Sequence, residues 1–287
     1  MIPDHITKLA KKYVEYDMIS AHTELPEFPA PRVGLLYTFL NGREDVSARS
    51  AEICSLAAFL VQLGMDTHDR IDTAKGRKDE MSMRSRQLKV LAGDYFSSVF
   101  YELLAKIDEI DTVSAMSTAI CEVNRLKVRL YTKLQQIIPS AEDYIKDSVQ
   151  VKMGLFLSFS QFMDKSVRNL WKLLLTELSR CEVMLDEMKY SRESPHQRKG
   201  YAYLRIMESG TSEDKSILSQ SSIDEPNWHA LLAKYNVKEQ LTAMLNQSVE
   251  RVHTLVQECS VEQQRADIRE ILKQINATLL PGRHSFQ

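Results

Sequence analysis

The sequence predicts an all-α fold, and three observations support this. Glycine and proline are scarce, with 9 and 8 in 287 residues, and neither occurs in the stretches 94–138 and 155–194. Apolar residues recur at three- and four-residue steps, the spacing of one helix face. The single Asn-Gly pair, at 41–42, lies between helix-like segments rather than between alternating strands. Because helix interiors exclude proline and disfavour glycine, whereas sheets need frequent turns, these features favour helices.

Four segments show this helical spacing in chain order. Each has a stripe of apolar side chains that would bury one side of a helix. The stripes are Ile53, Leu56, Ala57, Leu60, Val61 and Gly64; Met116, Ala119, Ile120, Val123, Leu126, Leu130, Leu134 and Ile137; Leu170, Trp171, Leu174, Leu178, Cys181 and Leu185; and Ile268, Leu272, Ile275 and Leu279. Three polar or proline-rich breaks interrupt the chain: a turn at 25–32, an exposed loop at 191–200 and a mobile stretch at 210–227.

The organisation that follows is one all-helical domain over residues 1–287. We expect N-terminal helices in 1–45, a core bundle in 46–190, and C-terminal helices in 191–287 after a polar loop. A net charge of -2 argues against nucleic-acid binding, which needs a basic surplus. The four cysteines form no CxxC pair and are expected to be reduced thiols of the core.

No signal peptide is recognised at the start of the chain. The longest apolar run without a charge, Ile53 to Met65, is shorter than the roughly 20 residues of a membrane span. We therefore expect a cytoplasmic protein with no membrane span.

An acidic cluster follows this apolar run. Asp66 and Asp69 are three residues apart, so on a helix they share a face. Two such carboxylates suit Mg²⁺, which prefers oxygen ligands. The alternative is a solvated helix end in which Arg70 pairs with Asp66 at i+4, and the spacing alone favours it. His68 is expected to be a helix-end residue, because imidazole is not a typical magnesium ligand.

The order of features from 59 to 101 resembles the first aspartate-rich region of trans-prenyl diphosphate synthases. That family has an apolar helix, an Asp-Asp-x-x-Asp motif, a paired-arginine-glycine element, and a helix opening with Gly-Asp-Tyr. The helix start is matched by Gly93, Asp94 and Tyr95. The aspartate motif falls on 65–69, where Met65 replaces the first aspartate, and the arginine-glycine element falls on 74–76.

Two later landmarks also resemble the family. Lys152, in Lys-Met-Gly, lies where the family has Lys-Thr-Ala, and the resemblance implies a contact with a diphosphate. Asp186 is the only aspartate kept in the second motif, and Lys189 occupies a ligand position there. Ionising an allylic diphosphate needs several metal ions held by two carboxylate clusters, and a lysine in one cluster repels cations. We therefore expect no catalytic residue and no metal site in this chain.

With this order of landmarks and incomplete aspartate motifs, the sequence resembles the component 1 subunits of heptaprenyl diphosphate synthase over roughly residues 30–260. The resemblance implies an isoprenoid-synthase-like helical bundle with degenerate aspartate-rich motifs. It also implies a heterodimer with a catalytic component 2, which has intact motifs and binds Mg²⁺, so this chain binds no cofactor. The pair condenses isopentenyl diphosphate onto farnesyl diphosphate for the side chain of menaquinone, and neither subunit is active alone.

Aromatic residues on apolar helix faces are candidates for packing against such a partner or lining its product tunnel. They are Phe96, Phe100, Phe156 and Phe159. The alternative is that they fill this chain's own core. Two other functions remain open: a self-sufficient magnesium-dependent terpenoid enzyme using Asp66, Asp69 and Asp94, and a helical adaptor whose aspartates are structural.

Overall fold

The structure, a computed structural model, describes residues 2–15, 19, 23–43, 45–71, 80–193, 199–220 and 223–279. Over these ranges the regular elements are α-helices and one 3-10 helix, with no strand, which confirms the all-α prediction. In chain order the elements are α1 (Ile2–Val14), α2 (Ala30–Asn41), α3 (Ala48–Asp69), α4 (Glu80–Ala105), α5 (Ile110–Gln136), α6 (Ala141–Leu157), the 3-10 helix (Ser158–Phe162), α7 (Arg168–Glu193), α8 (Tyr201–Ser209), α9 (Ser212–Ser219), α10 (Glu225–Lys234), α11 (Val237–Val256) and α12 (Glu262–Leu279).

The chain divides into two compact units. The first comprises Met1–Thr118, Ser158–Trp171 and Cys259–Gln287, and the second comprises Ala119–Leu157 and Lys172–Glu258. Each unit is assembled from separate stretches of the chain, and the single domain expected from the sequence stays a prediction. Among the described residues, no helix has the length and apolarity required to cross a bilayer.

Helix α3 is at the centre of the first unit. It packs along α4 and against α2, and α2 also packs against α12. Every residue of α3 from 54 to 65 is buried, as a helix without charges over that stretch requires. Ser47 caps the start of this helix, since its hydroxyl accepts a hydrogen bond of 3.0 Å from the Ser50 amide.

Two glycines let α3 and α4 approach closely. A Cβ at Gly64 would lie 2.8 Å from the Gly93 carbonyl oxygen and 2.9 Å from the Ser97 amide nitrogen. A Cβ at Gly93 would lie 2.7 Å from the His68 ring. At Gly64 the atoms met are backbone atoms of α4, so a larger side chain there would push the helices apart, whereas at Gly93 the space is filled by the His68 side chain.

In the second unit, α6 packs against α8, α8 against α9, and α10 against α11. A Cβ at Gly154 of α6 would lie 2.6 Å from Val123 Cγ2 of α5. The buried indole of Trp228 donates a 2.7 Å hydrogen bond to the Ser191 carbonyl. This bond satisfies a polar group that would otherwise be unpaired in the core.

The expected helix start at Gly93, Asp94 and Tyr95 is wrong. These residues lie well inside α4, which is already helical at Glu80. The preceding sequence, from 80 to 92, has neither glycine nor proline and contains two methionines, two arginines and two leucines, all good helix formers. The arginine-glycine element at 74–76 lies outside the described residues.

The stretch predicted to be mobile, 210–227, is largely helical instead. Helix α9 begins with a capping box in which Thr211 and Asp214 exchange hydrogen bonds between side chain and backbone. Asp224 caps α10 through the Asn227 amide at 2.8 Å. Among the cysteines, Cys121 is exposed on α5, so the prediction that all four are core thiols is wrong for this one.

Candidate functional site

The end of α3 holds the first predicted aspartate in a hydrogen-bonded chain. The buried guanidinium of Arg32 donates to Gln62 Oε1 at 3.1 Å, and Gln62 Nε2 donates to Asp66 Oδ1 at 2.8 Å. Arg70, the residue expected to pair with Asp66, donates to the Leu25 carbonyl at 3.2 Å. The Gln62 side-chain amide therefore orients the Asp66 carboxylate, and the buried Arg32 guanidinium holds that amide in place.

His68 connects the aspartate region to α4. Its Nε2 atom lies 3.3 Å from Asp94 Oδ1, and its ring lies over Gly93. The matched residues Gly93 and Asp94 thus have a packing function here, since the glycine admits the imidazole and the aspartate pairs with it. Tyr95 is half-buried, with its ring centroid 5.7 Å from that of Phe96.

The other positions of the first motif are dispersed. Met65, where the family pattern has an aspartate, is buried, while Asp69 is exposed at the helix end. Over the described ranges, no group of three or more His, Cys, Asp or Glu side chains is placed to hold a metal ion. Asp66 and Asp69 therefore occupy the motif without a third ligand among those residues.

In the second unit, Lys152 of α6 pairs with Asp186 of α7. The distance from Nζ to Oδ2 is 2.6 Å, and the lysine side chain is 24% exposed against 56% for the aspartate. The candidate diphosphate contact and the remaining aspartate of the second motif are thus partners of each other. Each charge therefore offsets the other, which leaves this pair with little net charge to attract a cation.

Beside this pair lies Glu187, a buried carboxyl group that the sequence analysis did not single out. Its Oε1 accepts a 2.8 Å hydrogen bond from the Tyr144 hydroxyl, and its Oε2 accepts a 2.7 Å bond from the Tyr201 amide. Burial raises the pKa of Glu187 above its ordinary value. Burial and the neighbouring Glu187 carboxylate raise the pKa of Tyr144 well above the ordinary value of a tyrosine. Glu187 thus joins α6, α7 and the start of α8.

These side chains line an open cavity of about 170 Å³. Its polar walls are Tyr144, Ser148 and the charged groups already described, and Leu130, Val151 and Val183 are its apolar walls. The volume is below the roughly 300–1,000 Å³ of typical small-molecule sites. This cavity is therefore smaller than a typical small-molecule site.

The four candidate interface or tunnel aromatics are all fully buried. They are Phe96, Phe100, Phe156 and Phe159. A side chain with no exposed surface cannot contact a partner subunit directly, so their place in this structure is the chain's own core. That is the alternative that the sequence left open.

Solved structures that superpose on this fold include prenyl diphosphate synthases. Geranylgeranyl pyrophosphate synthase from Lactobacillus brevis, in complex with citrate, superposes with a TM-score of 0.74 at 14% identity, covering 96% of this chain and 95% of that one. Heptaprenyl diphosphate synthase from Staphylococcus aureus gives a TM-score of 0.70 at 12% identity, covering 96% of each chain. At such identities the likeness establishes the fold alone, an all-α prenyl synthase fold.

Residues 16–200 match the family of heptaprenyl diphosphate synthase (HEPPP synthase) subunit 1, and the chain belongs to this family. One curated relative is heptaprenyl diphosphate synthase component 1 of Geobacillus stearothermophilus. It is 39% identical over 107 residues, which are 36% of this chain and 46% of the relative. The match thus spans less than half the length of that relative.

Proposed function

We propose that this chain is the non-catalytic, regulatory subunit of a heptaprenyl diphosphate synthase. It acts together with a catalytic component 2 in a heterodimer. The pair condenses isopentenyl diphosphate onto farnesyl diphosphate, and the product supplies the side chain of menaquinone. Mg²⁺ is bound by the catalytic subunit, and this chain contributes no metal ligand.

The observation that supports this proposal most strongly is the ion pair between Lys152 and Asp186. A divalent cation at a diphosphate leaving group needs several oxygen ligands with unneutralised charge. The remaining aspartate of the second motif instead has an ammonium group 2.6 Å away. In the first motif, a buried methionine stands in place of one carboxylate. Both changes oppose the charge balance that ionisation of an allylic diphosphate requires.

A contact between Lys152 and a diphosphate remains part of the proposal. The Lys152–Asp186 pair is partly exposed, and such pairs contribute little to stability, about 0–1 kcal/mol. A diphosphate presented by the catalytic subunit could therefore exchange with Asp186 at a small cost. Lys152 would then position a substrate whose metal ions are held elsewhere.

The experiment is reconstitution with the catalytic subunit of the same organism. Size-exclusion chromatography at micromolar concentration should show a one-to-one complex, and the complex should elongate farnesyl diphosphate. Separate elution of the two chains would contradict the proposal and favour a helical adaptor with a different partner. Magnesium-dependent turnover by this chain alone would favour a self-sufficient enzyme.

A further inference from the structure

The first three turns of α4, residues 80–91, present apolar side chains to solvent. None of these residues is buried. Four apolar members are exposed, namely Met81 at 83%, Leu91 at 63%, Met83 at 50% and Val90 at 37%. Together they expose on the order of 400 Å², an area comparable to the largest apolar patch on a typical monomer. Since a helix face directed at water usually has polar side chains, this surface has the composition of a binding surface.

The acids near this surface have cationic partners. Glu80, the acid of the first turn, pairs with Arg84 at 3.2 Å. Asp94, the next acid along α4, lies 3.3 Å from the His68 ring nitrogen. These two carboxylates therefore contribute little uncompensated negative charge to the surface.

The remaining charges of the surface are positive. Arg86 and Lys89 form no ion pair with any residue that the structure describes. The sequence around them is also basic, since residues 75–91 include six basic and two acidic residues in a chain whose net charge is -2. Positive charge is thus concentrated in this part of the sequence, which suits an anionic partner.

Basic side chains flank the apolar ones. With 3.6 residues per turn, Met83, Val90 and Leu91 fall within an arc of about 100° around the helix. Arg84 and Arg86 lie just outside this arc, one at each edge. Long basic side chains can keep their charge in water while their methylene groups lie along an apolar surface. An apolar face with basic edges is the arrangement of helices that lie in the plane of a membrane surface.

The apolar side chains favour a bilayer over a folded partner. The centre of a protein interface is enriched in aromatic residues, whereas the exposed apolar residues here are methionine, valine and leucine. Met81 lies outside the arc of the other three, so a rigid partner seated on the arc would leave it in water. A fluid lipid phase can surround the end of a helix and cover both sides.

We propose that residues 80–91 dock this chain on a bilayer surface that contains anionic lipid. The apolar side chains lie among the acyl chains, and Arg86 and Lys89 contact the anionic head groups. Such docking requires no membrane span. It goes beyond the proposed function, which gives it a use: a long prenyl product dissolves poorly in water, and a synthase held at a bilayer can release it there.

The first test is co-sedimentation of the full chain, and of its complex with the catalytic subunit, with lipid vesicles. Vesicles of phosphatidylcholine with about one third phosphatidylglycerol should bind at least tenfold more protein than vesicles of phosphatidylcholine alone, because two uncompensated cations favour an anionic surface. Binding should fall as salt is added. Equal binding to both vesicles, or binding to neither, would overturn the docking surface.

An added tryptophan reports where the helix enters the bilayer. Both natural tryptophans, Trp171 and Trp228, are buried, so a Met83→Trp side chain is distinguishable from them. Its emission should move to shorter wavelength when phosphatidylglycerol vesicles are added. The control is Ile110→Trp, at a 57% exposed position that follows the other end of α4, and its emission should not move. Shifts of equal size in both variants would contradict the assignment of the surface.

Matched charge variants separate a bilayer from a protein partner. Leu91→Glu should weaken binding to the anionic vesicles at least tenfold, whereas Ile110→Glu, which adds the same charge at a position of similar exposure, should change it less than twofold. If Leu91→Glu instead binds vesicles normally but loses affinity for the catalytic subunit in lipid-free size-exclusion runs, the surface is a protein contact and the proposal is wrong. A mixed pair that fails to elongate farnesyl diphosphate would overturn the proposed function, while vesicle binding by this chain would still support the docking surface.

Discussion

The substitution Gly64→Ala tests the close packing of α3 on α4. The new methyl group would lie 2.8 Å from the Gly93 carbonyl oxygen and 2.9 Å from the Ser97 amide nitrogen. These distances are roughly 0.6–0.7 Å shorter than the distance of about 3.5 Å at which such contacts become favourable. Since both atoms belong to the backbone of α4, neither can rotate away, and the two helices must separate.

The net effect combines two opposing contributions. Overpacking a well-filled core costs about 1–3 kcal/mol. Alanine in place of glycine inside a helix returns up to about 1 kcal/mol. We expect Gly64→Ala to lower the free energy of unfolding by about 1–2 kcal/mol, measured by urea unfolding followed by far-UV circular dichroism.

Gly93→Ala is the matched control on the facing helix. Its methyl group would lie 2.7 Å from the His68 ring, a half-exposed side chain that can turn towards solvent. The helix-propensity gain should then dominate, and this variant should be as stable as the unmodified chain or up to about 1 kcal/mol more stable. A Gly64→Ala protein that equals or exceeds the stability of Gly93→Ala would refute the packing argument.

Two further predictions concern single carboxylates. Glu187→Ala should cost on the order of 3 kcal/mol of unfolding free energy, because it leaves the Tyr144 hydroxyl and the Tyr201 amide without an acceptor. Since burial raises the pKa of Glu187, its contribution to stability is greatest below its ordinary value near 4.5 and is lost as the pH rises through the folded-state pKa. Urea unfolding measured from pH 4.5 upward should show that the free energy of unfolding of Glu187→Gln rises relative to that of the unmodified chain as the pH increases. A difference between the two free energies that does not change with pH would contradict this. In the reconstituted pair, Asp66→Ala should reduce kcat less than tenfold. The substitution removes only the hydrogen bond that Gln62 donates to Asp66, which is worth about 1 kcal/mol. If kcat instead falls as far as it does when an active-site aspartate of the catalytic subunit is removed, Asp66 is a metal ligand.

Much of the fold follows from local sequence patterns. The charge-free run before Asp66 predicted a buried helix, and it became the enclosed centre of the first unit. The scarcity of glycine and proline predicted long helices, and α4, α5 and α7 each exceed 25 residues. The polar composition of 210–227 led to the prediction of a mobile stretch, because the capping box that Thr211 and Asp214 form at the start of α9 was not considered from the sequence.

The site was less accessible to sequence reasoning, because its contacts join residues far apart in the chain. Arg32 lies in a proline-rich turn of the sequence, yet its guanidinium is buried and fixes Gln62, thirty residues later. Glu187 resembles one more acid of a charged helix, and only its burial against Tyr144 shows its role. No periodicity indicates such pairs, since each depends on how helices pack rather than on the spacing within one helix.

The most direct test is elongation of farnesyl diphosphate with isopentenyl diphosphate and Mg²⁺ by three preparations: this chain alone, the catalytic subunit alone, and the two mixed. The account predicts long-chain product only in the mixture. Turnover by this chain in a preparation free of any second protein would contradict it, because the paired lysine and the buried methionine would then not have abolished metal-dependent chemistry.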